Sequence, residues 1–173
     1  MFFVCGRITN EPDWQDFYLK VWPSLSHLCQ ALGATNAFQE TRLFSHIFLG
    51  VRDFERAFGF YSALMPCLGN VERFCDRGRP WAGWQSADAS RPLFLIGTPY
   101  DGTAHEPGNG QMVAFLAGSR PVVDSAYRIA LVHGGISEGA PGLRLEYHEN
   151  YYGAYFRDTE GNKLCVACHL LQA

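Results

Sequence analysis

With 173 residues, 47% of them hydrophobic and 14% aromatic, the chain can bury one substantial core but is short for several independent ones. A net charge of −3 with scattered Lys and Arg speaks against a nucleic-acid footprint, and no apolar run approaches the roughly 20 residues that cross a bilayer. Six cysteines, behind an N-terminus (Met1 to Arg7) that is only briefly apolar and has no basic leader, fit a reducing cytoplasm in which thiols are small buried apolar groups.

Residues 1–42 differ in texture from the rest and predict a helical extension. Pro12-Asp13 opens a helix that places Trp14, Phe17, Tyr18, Val21 and Trp22 on one side, and Pro23 stops it. A second short helix carries Leu25, Leu28, Cys29 and Leu32 up to Gly33, and Ala34 to Arg42 reads as a linker. An aromatic stripe of this kind is a packing surface, suited to cover a sheet edge or a dimer partner.

From residue 43 a regular pattern begins and continues to residue 173. Phe44 to Val51 alternates as a strand. Asp53 caps a helix to about Met65 with Phe54, Ala57, Phe58, Tyr61 and Leu64 inward, and Pro66 and Gly69 close it. Strands at Val71 to Cys75, Trp81 to Gln85 and Leu93 to Gly97 follow, then a Gly- and Pro-rich loop from Pro99 to Gly110. The order then repeats. Gln111 to Ala117 is a strand, and Ser119 caps a helix from Pro121 to His133 that Gly134-Gly135 ends. Strands at Ile136 to Glu138 and Leu143 to Tyr147 lead into a closing hairpin, Tyr151 to Arg157 and Lys163 to His169, around the turn Asp158 to Asn162. Period-two alternation sets Lys163, Cys165, Ala167 and His169 on one face and Leu164, Val166 and Cys168 on the other, which looks like core. The expected fold class is therefore α+β: two tandem βαβββ modules whose curved mixed sheets form a cup, preceded by the helical extension.

Two stretches carry a family resemblance. Phe44-Ser-His-Ile-Phe-Leu-Gly-Val-Arg-Asp-Phe-Glu-Arg-Ala-Phe-Gly-Phe-Tyr61 resembles the opening strand and helix of the vicinal oxygen chelate superfamily, and Gly153-Ala-Tyr-Phe-Arg-Asp-Thr-Glu-Gly-Asn-Lys-Leu164 its closing hairpin. Pro107 to Phe115 is similar to the start of its second module. The superfamily includes glyoxalase I, bleomycin-resistance proteins, extradiol dioxygenases and fosfomycin-resistance enzymes, so the resemblance specifies a fold and leaves the reaction open. It implies a homodimer. It also implies four inward side chains, commonly His and Glu, around a divalent ion. Here those positions fall on His46, on Ile96 or Gly97, on Met112 and on Cys165. Three of the four are unmatched, so no cofactor is assigned and a divalent metal on His46 is the alternative.

The remaining candidates are weighed against bland roles. His46 shares a strand face with Phe48, where it anchors an ion, acts as a catalytic base or simply lines the cavity. His46, Met112 and Cys165 together would make a soft nitrogen–sulfur set, and a His46–Cys165 pair an activated thiolate. Met and Cys at such positions are also ordinary core fillers. Cys165-Val-Ala-Cys168-His169 matches a haem-attachment spacing, but odd spacing on a strand sends the two thiols to opposite faces. Phe48, Met112, His148, Tyr152 and Cys165 are the expected ligand-binding residues, with His105, Tyr151 and Arg157 also placed where cavity walls and rims would be. The expected function is binding of a small organic molecule in the cupped sheet beside a degenerate metal site. The alternative is a metal-dependent glyoxalase-like lyase or dioxygenase using His46. A structural role for residues 1–42 is the third reading.

Overall fold

The computed structural model describes residues 43–171. The helices expected in residues 1–42 lie outside them.

Strand β1 (His46–Gly50) leads into helix α1 (Phe54–Cys67), and β2 (Asn70–Asp76), β3 (Trp81–Ser86) and β4 (Leu93–Gly97) complete the first module. β5 (Val113–Leu116), α2 (Arg120–Val132), β6 (Ile136–Leu143), β7 (Tyr152–Arg157) and β8 (Lys163–Cys168) form the second. The sheets run β1-β4-β3-β2 and β5-β8-β7-β6, so both modules repeat one topology. In each, the first and last strands are parallel, β1 with β4 and β5 with β8, as a helical crossover requires. The expected α+β pair of βαβββ modules is what the chain forms. No helix among the described residues is long and apolar enough to cross a membrane.

Local chemistry explains the helix ends. Asp53 Oδ1 accepts from the Arg56 amide at 3.1 Å, so the expected cap is in place. The helix continues two residues past Met65, with Pro66 inside its last turn, and Gly69 at φ 74° turns the chain. Phe60 and Met65 join Phe54, Ala57, Tyr61 and Leu64 on the buried side. Phe58 stays half-buried, 5.9 Å from the Trp84 ring. Ser119 is the N-cap residue of α2 but makes no side-chain cap hydrogen bond.

One stretch differs from expectation. Ile136 to Glu138 and Leu143 to Tyr147 do not form two strands. A single β6 runs from Ile136 to Leu143 with register shifts between Ser137 and Gly139 and between Gly139 and Gly142, and residues 145–147 are a turn. Gly139, Pro141 and Gly142 read as breaks, but in the sheet they are irregularities that leave the strand continuous.

The helix-facing sides of both sheets meet in one core. Ala82, Trp84, Phe94 and Ile96 from the first module join Ala154, Phe156, Leu164, Val166 and Cys168 from the second. Phe94 meets Phe115 edge-on at 5.0 Å, and Phe60 lies 6.4 Å from Phe156. The opposite sides of the sheets carry His46, Phe48, Met112 and Cys165.

The closing turn also joins the modules. Asp158, Glu160 and Asn162 are buried although polar. Asp158 Oδ1 accepts from the amides of Glu160 and Asn162, and Gly161 takes φ 90° to close the turn. Across the module boundary, Tyr61 Oη donates to Asp158 Oδ2 at 2.6 Å and Asn162 Nδ2 donates to the Gly50 carbonyl at 3.2 Å. Glu160 receives the Arg52 amide at 2.7 Å, the Asp53 amide at 3.3 Å and Arg56 Nη2 at 2.7 Å. A carboxylate at the first turn of α1 also meets the positive end of the helix dipole. Burial pushes the Glu160 carboxyl up, but Arg56 and the two amides outweigh it and hold it below the usual carboxylate range.

Candidate ligand-binding face

The sheet registers place the candidates. On β8, Leu164, Val166 and Cys168 point into the core, while Lys163, Cys165 and Ala167 face away, as alternation predicts. Opposite them on β7, Arg157 pairs with Lys163, Tyr155 with Cys165 and Gly153 with Ala167. On β5, Ala114 pairs with Cys165, so Met112, two residues earlier, falls on the same side. This outer face borders an open cleft of 570 Å³ lined by Met112, Tyr147, Tyr155, Arg157, Lys163 and the loop from Pro107 to Gln111.

Cys165 lies beneath this face and does not open into the cleft. Its Sγ is 3.5 Å from Tyr151 Oη, and Tyr155 Oη donates to Tyr151 Oη at 3.4 Å. Burial pushes the Cys165 thiol up, against the opposing pull of the Tyr151 and Tyr155 hydroxyls. Burial likewise raises the Tyr151 and Tyr155 phenols. All three groups therefore stay protonated at neutral pH. The floor is neutral and hydrogen-bonded, and burial disfavours a Cys165 thiolate.

His46 and Phe48 lie on the outer side of the first sheet. His46 is exposed, with Nδ1 3.3 Å from the Ser45 hydroxyl. Phe48 lines a separate cleft of 480 Å³ with Pro99, Tyr100, His105 and Glu106. Gly108 and Gln111 line both clefts, so the loop between the modules partitions them. The expectation that His46, Met112 and Cys165 share one pocket within a chain is corrected: His46 belongs to one sheet, the two sulfur residues to the other. Within one chain, the same separation parts the soft-metal set and the His46–Cys165 pair.

The positions that the superfamily uses for its ion do not make a donor set. Ile96 is in the core. Gly97 faces outward, but a Cβ there would lie 3.0 Å from Trp81 Cβ and 3.2 Å from Phe48 Cζ. Met112 offers a thioether and Cys165 a buried neutral thiol, neither suited to a hard divalent ion. Among the described residues no group of three or more His, Cys, Asp or Glu side chains gathers as a metal site would.

Two further expectations need adjustment. Tyr152 does not line the cleft. Alternation turns it to the helix side, where Oη donates to Asp124 Oδ1 at 2.8 Å and Arg120 sits 5.3 Å over its ring. The stretch Tyr151-Tyr152 places one ring on each side of the sheet, and the outward one is Tyr151. His148 stands one ring away from the cleft: Tyr147 lines it, the Tyr151 ring lies tilted 4.9 Å from Tyr147, and His148 meets Tyr151 edge-on at 5.6 Å. His148 Nδ1 accepts from the Asn150 amide at 3.2 Å, so its Nε2 carries the proton and donates to His169 Nδ1 at 2.8 Å. Arg157 is in the cleft wall. Tyr155, Lys163 and Gln111 were not singled out for binding. The alternation that set Lys163 beside Cys165 was the signal for the first two once the hairpin register is known.

A pair of βαβββ modules, joined through their helices and bearing aromatic and basic side chains on an outer sheet face, defines a two-module α+β scaffold. No family model matches the chain, and no curated protein does. Solved structures do. A glyoxalase/bleomycin resistance protein from Albidiferax ferrireducens T118 is 32% identical, with 73% of this chain and 99% of that one covered and a TM-score of 0.66. A glyoxalase/bleomycin resistance protein/dioxygenase family enzyme from Burkholderia phytofirmans PsJN is 19% identical over 73% of this chain and 98% of its own, with a TM-score of 0.56. The fosfomycin resistance protein FosX from Listeria monocytogenes is 16% identical over 75% and 95%, with a TM-score of 0.55. The last two show the fold alone. The chain belongs to the glyoxalase/bleomycin resistance protein/dioxygenase family of the vicinal oxygen chelate superfamily.

Proposed function

We propose that this family member binds a small organic molecule on the outer face of its second sheet, and does so without the family's usual ion. The observation that carries the reading is the combination at that face: a cleft of 570 Å³ beside Met112, with Cys165 as a neutral thiol where the resemblance expects a metal carboxylate. Rings from Tyr147 and Tyr155 supply apolar contact, and a few polar groups fix orientation, which is the make-up of a small-molecule site. The reading includes a homodimer in the cytoplasm. Phe48 and Val71 on the first sheet, and Leu116, Ile136 and Leu145 around the second, remain exposed in one chain, and a second copy would cover such surface.

Chelator-treated protein, screened by thermal shift and calorimetry against small aromatic and aliphatic probes, tests the reading. Ligands that stabilise the metal-free protein by mass action, with no change on adding Mn²⁺, Ni²⁺ or Zn²⁺, are the expected result. Binding that requires an ion and is lost in His46→Ala would instead favour the lyase or dioxygenase reading built on His46.

A further inference from the structure

Charge is shared unevenly among the clefts of the described residues. The cleft on the second sheet has Arg157 and Lys163 in its wall and no carboxylate. The neighbouring clefts around Pro99 to Glu106 have Asp101 and Glu106 and neither Lys nor Arg. In a chain of net charge −3, an acid-free basic cleft runs against the average.

The two cations are also held in place. Glu138 bridges them, with Oε1 accepting from Arg157 Nε and Oε2 lying 2.9 Å from Lys163 Nζ. Arg157 Nη1 donates to the Gly161 carbonyl at 2.7 Å, which fixes the plane of the guanidinium. The Lys163 and Arg157 hydrogen bonds keep the Glu138 carboxyl below its ordinary range, so the bridge is ionised at neutral pH. One carboxylate against two cations leaves one positive charge. Lys163 has three N–H donors and Arg157 five, and the bridge and the Gly161 carbonyl use only part of them. A guanidinium with a fixed plane beside an ammonium matches the paired oxygens of an oxyanion. Met112, Tyr147 and Tyr155 provide a thioether and two rings for whatever the oxyanion is attached to.

We infer that the cleft takes an organic anion, a carboxylate or phosphate-type group on an aromatic or apolar body, with Lys163 and Arg157 on the acid group and Tyr147, Tyr155 and Met112 against the body. The inference rests on the ligand-binding reading above and narrows it to one charge class. Cationic ligands are excluded by the same pair, and neutral isosteres lose the charge-assisted hydrogen bonds.

The test uses the full chain and a matched probe set: benzoate, phenyl phosphate, benzamide and benzylamine, with the naphthyl counterpart of each, followed by calorimetry and thermal shift. The anions are expected to bind at least about tenfold more tightly than their neutral isosteres, a difference of about 1.4 kcal/mol, and the amines not at all. Lys163→Met should remove that preference and Lys163→Arg restore it. Rising salt should weaken the anions alone. Equal binding of anionic and neutral probes, or an anion preference that survives Lys163→Met, overturns the charge assignment and leaves the ligand-binding reading standing. No binding by any probe, whatever its charge, overturns both.

Discussion

Arg157 and Asp158 are neighbours in the chain, yet they belong to two regions with opposite uses of polar chemistry. The turn from Asp158 to Asn162 is largely buried, and its carboxylates find partners in Tyr61, Arg56 and the amides of Arg52 and Asp53. The flanking strand ends put Arg157 and Lys163 on an accessible face, where two cations share one carboxylate. Buried polar groups whose partners all come from the same chain hold modules together and have nothing left for a ligand. Half-exposed donors with capacity to spare are what a ligand can use. The contrast separates the structural part of the family-like hairpin from the part that recognises.

The largest effect should follow from breaking the turn. Glu160→Ala leaves Arg56 and the amides of Arg52 and Asp53, just before α1, without their acceptor. The expected loss is about 2–3 kcal/mol, less than for a fully buried pair because Arg56 is half exposed. Urea denaturation checks it, and a change within about 0.5 kcal/mol, as for an ordinary surface site, would erase the distinction between the two regions. Tyr61→Phe removes one donor from the buried Asp158 and should cost about 1–3 kcal/mol by the same measurement.

Acid should act on the turn as well. Glu160 has a folded-state pKa below its unfolded value, so its contribution is fully present above the unfolded carboxylate pKa of about 4.3 and is lost as pH falls through the folded value. Wild-type stability should therefore drop below about pH 4.3 with a steeper slope than that of Glu160→Gln. Parallel slopes for the two proteins would show that Glu160 does not carry this linkage. On the outer face, Lys163→Met should leave stability within about 0.5 kcal/mol of wild type while altering ligand preference.

The smallest effect concerns Cys165. Buried and held as a thiol, it should resist iodoacetamide in native protein at pH 7, while the less buried Cys67 and Cys75 are modified first, as peptide mass mapping would show. Rapid labelling of Cys165 would mean that Tyr151 does not cover it.

Much of this molecule was legible in its residues. The βαβββ repeat, the Asp53 cap, the Gly161 turn and the division of β8 into two faces all follow from period, capping and turn chemistry acting over a few residues. What could not be read depended on register. Tyr151 and Tyr152 are equally aromatic, and only the pairing of Tyr152 with Cys168 decides which of them turns to the helices. The glycines and proline of β6 looked like strand ends because their irregular pairing with β7 is invisible without the partner strand. The separation of His46 from Met112 and Cys165 depends on how two modules pack through their helices, which no local pattern encodes. The same packing explains the buried Glu160, an acid in a turn that would ordinarily be solvated.

A crystal structure of protein grown with Mn²⁺, Ni²⁺ and Zn²⁺ present and soaked with an anionic probe from the matched set tests the central claim most directly. The expected result is a probe against Tyr155, with its acid group on Lys163 and Arg157, no ion on His46, and Glu160 still bound to Arg56 and the first turn of α1. A probe bound through a metal on His46, or seated at the Asp158 to Asn162 turn with those contacts broken, would contradict it.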